Sequence, residues 1–509
     1  MTSGERHGYD VIVVGGGNAG FCAAHAAREA GASVLLIEKG VEGEDGGNSF
    51  YTAGAFRIAH NGQASLAPFF RDEVTRERIA ETDVAPYSVT DFEEDMARIT
   101  EGRGDEAMAS IVANGSSELV EWLAGKGIEW RLMYERQAYL SEGKHVFFGN
   151  LSVGVVDGGK GLIRQHTVGA RSTGIEIRYG TELVDMSLTP DGVRGVTVRA
   201  NGGAESFIPT EAVVLAAGGF EANAEMRREH LGPNWERAFV RGTPLNTGEV
   251  LRLALGVGAV AYGDWGSCHS VAWDVASPPQ GGDRHLTNQY TRQSYPIGIV
   301  VNLDGERFVD EGEDFRNYTY AKYGQRILAQ PDGRAFQVFD AKTRPLLRKE
   351  EYDASIVTEL SADSIGDLGR AMGVDVERFE RTVTDFNSSI DPRPFDPAIL
   401  DGRAARTQPP KSNWALEIDS PPYYAYPVTC GITFTFGGIK VDENARVVSA
   451  SGDPITGVFA AGELVGGLFS GNYPGGSGLT AGSVYGRLAG TAAAALAADG
   501  VLSGSAAGE

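Results

Sequence analysis

Hydrophobic positions along the chain follow two rhythms. Residues 11–14 (V-I-V-V), 33–37 and 212–217 are short continuous apolar runs, the pattern of strands buried on both faces in a parallel sheet. Between the first two, F-C-A-A-H-A-A-R-E-A keeps helical spacing, so the predicted order is strand, tight turn, helix, strand. Residues 68–127 then read as helices, with S-V-T-D-F-E-E-D-M-A-R-I-T-E opening on an acceptable cap and E-A-M-A-S-I-V-A-N-G-S-S-E-L-V-E-W-L-A-G-K-G ending in a glycine stop. A glycine turn at Gly158 opens another helix. Residues 175–179, 182–188, 192–200 and 205–209 form a strand meander broken by Asp191-Gly192 and Gly202-Gly203. Strand I-G-I-V-V-N, helices at 362–372 and 375–387 and the proline-rich D-P-R-P-F-D-P depart from this glycine-rich style, which returns at Phe436.

The glycines give the first strand its chemistry. Gly15, Gly17 and Gly20 fit G-x-G-x-x-G: the first permits the turn, the second lets backbone approach a pyrophosphate, and the third lets helix pack on sheet. The helix N-terminus adds partial positive charge toward the phosphates. Glu38, closing the second strand, is placed to hold a ribose hydroxyl. A dinucleotide is therefore expected. The small-residue loop with Gly46, Gly47, Asn48, Ser49, Thr52 and Gly54 could wrap a bulkier cofactor than NAD.

Composition narrows the partners. A chain of 509 residues implies two or three domains, and a net charge of −23 argues against nucleic acid or anionic membrane. Cys22, Cys268 and Cys430 are three and far apart, with no C-x-x-C, so neither a disulfide framework, an iron–sulfur site nor a metal site is expected. No apolar run reaches the length of a membrane span and the N-terminus has no apolar signal core, which points to a cytoplasmic protein without membrane insertion.

The motifs V-V-G-G-G-N-A-G, G-G-N-S-F-Y-T-A-G-A-F, V-L-A-A-G-G-F-E-A-N, G-E-R-F-V-D-E-G-E-D-F-R-N-Y, V-T-C-G-I-T-F-T-F-G-G and A-A-G-E-L-V-G-G-L-F-S-G-N-Y-P-G-G-S-G-L occur in that order. Together they resemble the fumarate reductase and succinate dehydrogenase flavoprotein superfamily over nearly the whole chain, and within it the tricarballylate dehydrogenase type. The resemblance implies an α/β fold: a Rossmann-like FAD-binding domain, interrupted by an inserted α+β capping domain. The FAD domain would take residues 1–263, with a helical insertion at about 65–130, and residues 434–500; the cap takes 264–433, and 501–509 form a disordered tail.

By the same resemblance FAD is held by Gly15, Gly17, Asn18, Ala19 and Gly20; by Glu38 and Lys39; and by Gly47, Asn48, Ser49, Thr52 and Gly54. Further contacts are Ala217, Gly218, Gly219 and Asn246, then Gly462 and Glu463, with Ser477, Gly478 and Leu479 at the isoalloxazine. A helix opening at Gly478 and Leu479 would stabilise negative charge on the reduced ring. Membrane-bound relatives attach FAD through a histidine where this chain has Asn48 or its neighbours, so the flavin is expected to be non-covalent.

Desaturation beside a carboxylate needs cations on the carboxylates and a group that moves a proton. Arg316 stands where the superfamily places its proton-transferring arginine, one residue further from Arg307, and an arginine base would need acids such as Asp310, Glu311, Glu313 and Asp314 nearby. His269 and Arg241 are the implied substrate residues. Thr433-Phe434 replaces a histidine pair and Tyr473 replaces an arginine, which counts against plain fumarate or succinate; Tyr473 is also reminiscent of ketosteroid dehydrogenases, where tyrosine polarises a ketone. The expected activity is dehydrogenation of a polycarboxylate, tricarballylate to cis-aconitate, with electrons passed to a membrane-linked redox protein or quinone. Ketone desaturation or ene reduction is the alternative. A non-catalytic flavin carrier would have no purpose for the cap.

Overall fold

The computed structural model of the chain describes residues 8–353, 355 and 357–506. Strand β1 (Tyr9–Val14) leads into helix α1 (Asn18–Glu29) and strand β2 (Val34–Ile37), as the apolar runs predict. β1 is central because Val11, Ile12 and Val13 are buried on both faces, with parallel partners β2 on one side and β3 (Glu205–Leu215) on the other.

β3 departs from expectation. The run at 205–209 and residues 212–215 of the next belong to one eleven-residue strand whose first half pairs antiparallel with Gly192–Ala200 and whose second half runs parallel to β1. Its burial alternates and then becomes continuous, because the strand passes from a half-solvated meander into a sheet covered on both faces. Glu176–Arg178 likewise pairs parallel with β2 and extends the main sheet.

The cap is a six-stranded sheet whose hub is the thirteen-residue strand β5 (Tyr423–Thr435). β5 pairs with β4 (Phe239–Val240), Cys268–Asp274, Arg334–Asp340 and Leu360–Ala362. Helices Ile365–Met372 and Val376–Ser388 cover the sheet through Leu368, Met372, Phe379 and Phe386. The cap sheet thus recruits residues well before 264. Two residues cannot display an alternation, so β4 carries no signal in the sequence.

Helices Val89–Ile99 and Glu106–Gly125 form where predicted, the first closed by a capping box between Ser88 and Asp91. Two small three-stranded sheets, including Trp130–Leu132 and Val153–Val155, continue this region beyond residue 130. After β6 (Pro454–Ala460), which lies parallel to β3, helix α2 (Ser477–Ala506) closes the chain against α1. Glycine makes that contact close: a Cβ at Gly490 would lie 2.1 Å from the Ala23 carbonyl oxygen. α2 takes in residues 501–506 of the expected tail; 507–509 lie outside the described residues. Among the described residues no helix is long and apolar enough to cross a membrane, and no cluster could hold a metal.

Candidate active site

A cavity of about 470 Å³ opens where the two halves of the nucleotide-side sheet, the helical region and the cap meet. Its floor is the turn after β1. Gly15 has φ +107° and a Cβ there would lie 2.4 Å from the Ala216 carbonyl oxygen. Gly20 touches the turn from behind, where a Cβ would fall 1.9 Å from the Gly15 carbonyl oxygen. Gly17 faces the cavity, and nothing would come nearer than 3.6 Å to its Cβ. This open backbone at the start of α1 suits a pyrophosphate.

Most residues expected at the cofactor line this cavity. From the first motif these are Gly15, Gly17, Asn18 and Ala19, followed by Glu38 and Lys39. Gly47, Asn48, Ser49 and Thr52 line one wall; Ala217, Gly218 and Asn246 line another. Gly462, Glu463, Gly478 and Leu479 complete it. Four of the expected residues stand behind the lining. Gly20 packs on Gly15, Gly54 on Gly158, and Gly219 on Glu463 and Thr435. Ser477 is fully buried, its hydroxyl donating to the Pro474 carbonyl at 2.5 Å.

Two side chains are busier than the sequence suggests. Glu38 accepts hydrogen bonds from the Gly16 and Gly40 amides at 2.6 and 2.7 Å, so its carboxylate organises the turn as well as facing the cavity. Asn48 donates to Glu221 at 2.5 Å and to the Thr433 carbonyl at 2.6 Å, and accepts from the Thr243 amide at 2.9 Å. Its carboxamide is committed to joining three segments.

Glu463 sits against Glu221. Burial first, and then the Glu221 charge, push the Glu463 pKa well above the usual carboxylate range, and burial raises Glu221 also. The folded chain therefore holds a proton on Glu463 more tightly than the unfolded chain does. This stabilisation is complete below the unfolded glutamate pKa of about 4.3 and is lost as pH rises through the raised value. Glu463→Gln is expected to flatten the fall in thermal midpoint as pH rises above the unfolded glutamate pKa. A wild-type midpoint that climbs over that range would contradict the assignment.

The cap end of the cavity carries the expected substrate residues. Arg316 opens the short helix Arg316–Thr319, lies over the Phe148 ring at 4.8 Å, and leaves Nη2 buried without a hydrogen-bond partner. The nearby acids do not serve it. Glu311 pairs with Arg307, Asp310 with Ser412, Glu313 with Lys322 and Asp314 with Arg98. Arg241 follows β4, donates to Thr433 Oγ1 at 2.7 Å and to Asn288 Oδ1, and leaves Nε unpartnered.

His269 is stacked on Phe434 with ring centroids 5.2 Å apart and meets Tyr320 and Tyr473 edge-on. Burial, then the Arg241 cation, hold its pKa well below the ordinary value, so it is a neutral imidazole at pH 7. The Tyr473 oxygen accepts from the Gly476 and Gly478 amides at 2.9 and 3.4 Å, which leaves its own proton free.

Sequence reasoning missed a second layer. Arg57, 0% exposed, donates to Asp95, Tyr87 and Tyr318, each at 3.2 Å, and to the Gly475 carbonyl at 3.0 Å. An arginine inside the apolar stretch A-F-R-I-A was the available signal. Arg136 was also missed. It reaches from the helical region to Glu350 and Glu351 of the cap, and no local pattern marks it.

A glycine-built nucleotide cradle, a cap over its mouth and a wall of cations and aromatics define an FAD-dependent oxidoreductase. Residues 10–479 match the family model described as an FAD binding domain, and the chain belongs to that family. It is 28% identical over 498 residues to a fumarate reductase (cytochrome) of Shewanella frigidimarina, spanning 97% of this chain and 78% of that protein. It is 26% identical to a vinyl phenol reductase of Lactiplantibacillus plantarum, with 93% of each chain covered. Among solved structures, the open conformation of a flavocytochrome c3 fumarate reductase superposes with a TM-score of 0.71 at 26% identity, covering 96% of this chain and 78% of that one.

Proposed function

We propose that the protein interconverts a C–C single bond and a C=C bond in a polycarboxylic acid, with tricarballylate to cis-aconitate as the type reaction. One observation carries the reading: Arg316 and Arg241 are buried, line the cavity and leave guanidinium N–H groups unpartnered, and among the described residues neither has a carboxylate in ion-pair range. Buried cations without anions call for an anionic ligand. His269 is neutral, so the substrate carboxylates fall to the two arginines. The relatives' names place reduction of activated double bonds within the family's range.

FAD, held non-covalently by the cradle and the α2 N-terminus, supplies the hydride-accepting and hydride-donating chemistry. Arg316 holds a proton at Nη2 beside the substrate position, and Arg241 fixes a carboxylate through its planar fork. The Phe434, Tyr320 and Tyr473 rings exclude water from that end. Electrons pass onward to a redox protein or a quinone.

Tyr473 favours a second reading, a ketone substrate, because a hydroxyl backed by two amides can donate strongly to a carbonyl oxygen. Anaerobic mixing separates the two. Tricarballylate should bleach the oxidised flavin, or cis-aconitate should reoxidise the reduced flavin, within seconds. Reaction with a 3-ketosteroid and with neither acid would overturn the carboxylate reading.

A further inference from the structure

The same wall that presents two unpaired cations also presents two unpaired acceptors. Asn317 follows Arg316, is 2% exposed and lines the cavity. Its Nδ2 donates to the Gly149 carbonyl at 2.7 Å, which fixes the orientation of the amide, and its Oδ1 has no partner. Gln137, 6% exposed and at the end of the short helix Tyr134–Gln137, also lines the cavity, with Oε1 unpartnered. Both residues are anchored through their backbone: the Gly475 amide donates to Asn317 O at 2.7 Å, and the Phe148 amide to Gln137 O at 3.2 Å. A buried acceptor left empty costs as much as a broken hydrogen bond, so two of them facing one cavity require donors from what binds there.

Resting on the carboxylate reading above, we propose that the substrate carries, besides two ionised carboxylates, a hydrogen-bond donor such as a hydroxyl, and that Asn317 and Gln137 recognise it. Charge on the wall sets the number of carboxylates. Arg136 and Arg348 are balanced by Glu350 and Glu351, so only Arg316 and Arg241 remain to be neutralised. A third ionised carboxylate would meet amide oxygens and repel them, whereas a hydroxyl, or a carboxyl kept protonated, satisfies them.

Succinate and the two enantiomers of malate differ by one hydroxyl and provide the test. With FAD-loaded enzyme, calorimetric titration should show one malate enantiomer binding about tenfold tighter than succinate. In Asn317→Ala and Gln137→Leu that ratio should fall toward one, while FAD content and the visible spectrum stay unchanged. Equal binding of malate and succinate to the wild type, or a preference that survives in both variants, overturns the proposal. Variants that alter the flavin spectrum without changing the ratio show that the donor belongs to the cofactor, which also overturns it. Binding of neither acid while tricarballylate still binds also overturns the proposal, and failure of all three to bind removes the carboxylate reading itself.

Discussion

Arg316→Ala is expected to lower turnover by about 10²–10⁴-fold, the range for loss of a positioned proton-transfer group, while the enzyme keeps equimolar FAD that acid precipitation releases. The separation follows from geometry. Arg316 sits on the cap, over Phe148, and none of the cofactor cradle depends on its side chain. Its removal also eliminates an unpaired buried cation, so the thermal midpoint should hold or rise. Arg316→Lys keeps the charge without the planar fork and should recover only part of the rate. Wild-type turnover in the alanine variant at saturating substrate would remove Arg316 from the mechanism.

The second large effect is on stability. Asp95 accepts from Arg57 and from the Tyr87 and Tyr318 hydroxyls, at 3.2, 2.9 and 2.6 Å, so Asp95→Ala strands a fully buried cation and two phenols. A loss of about 3–5 kcal/mol is expected in denaturant unfolding, as for other broken buried pairs. Arg98→Ala, which removes the half-exposed partner of the same carboxylate, should cost no more than about 1 kcal/mol. Tyr318 is two residues from Arg316, so a surviving Asp95→Asn protein should also show reduced kcat with KM little changed. Equal, small losses for Asp95→Ala and Arg98→Ala would show that the cluster is not a structural keystone.

What could be read in advance was whatever is local. The run at 11–14, the three glycines and the helix after them form a contiguous unit, and the structure places them as the spacing requires. The same holds for the closing motif, where Gly478 and Leu479 open α2 onto the cavity. Partnership across hundreds of residues was not legible. Asp310, Glu311, Glu313 and Asp314 are adjacent to Arg316 in sequence, yet each is claimed by another donor, two of them far away in the chain at Ser412 and Arg98. Asn48 was read as a cofactor contact, and only the fold shows it spanning to Glu221 and Thr433. β4 and the continuity of β3 were hidden because their identity as strands comes from their neighbours rather than from their own residues.

The covalent links between the two bodies all cross at one place. The chain leaves β4 where Val240 pairs with Ile432, returns where Cys268 pairs with Thr435, and passes out again at the end of β5. On the far side the edges are held by side-chain contacts: Arg136 on Glu350 and Glu351, Arg98 on Asp314, Tyr318 on Arg57 and Asp95, and Asn317 on the Gly149 carbonyl. A lid tethered along one margin turns like a page about its spine: the tethered margin scarcely moves, while the free margin travels furthest. Arg241, beside the spine, would stay in place through such a turn, whereas Arg316 could move only if the Arg98–Asp314 and Asn317–Gly149 contacts that flank it were first broken.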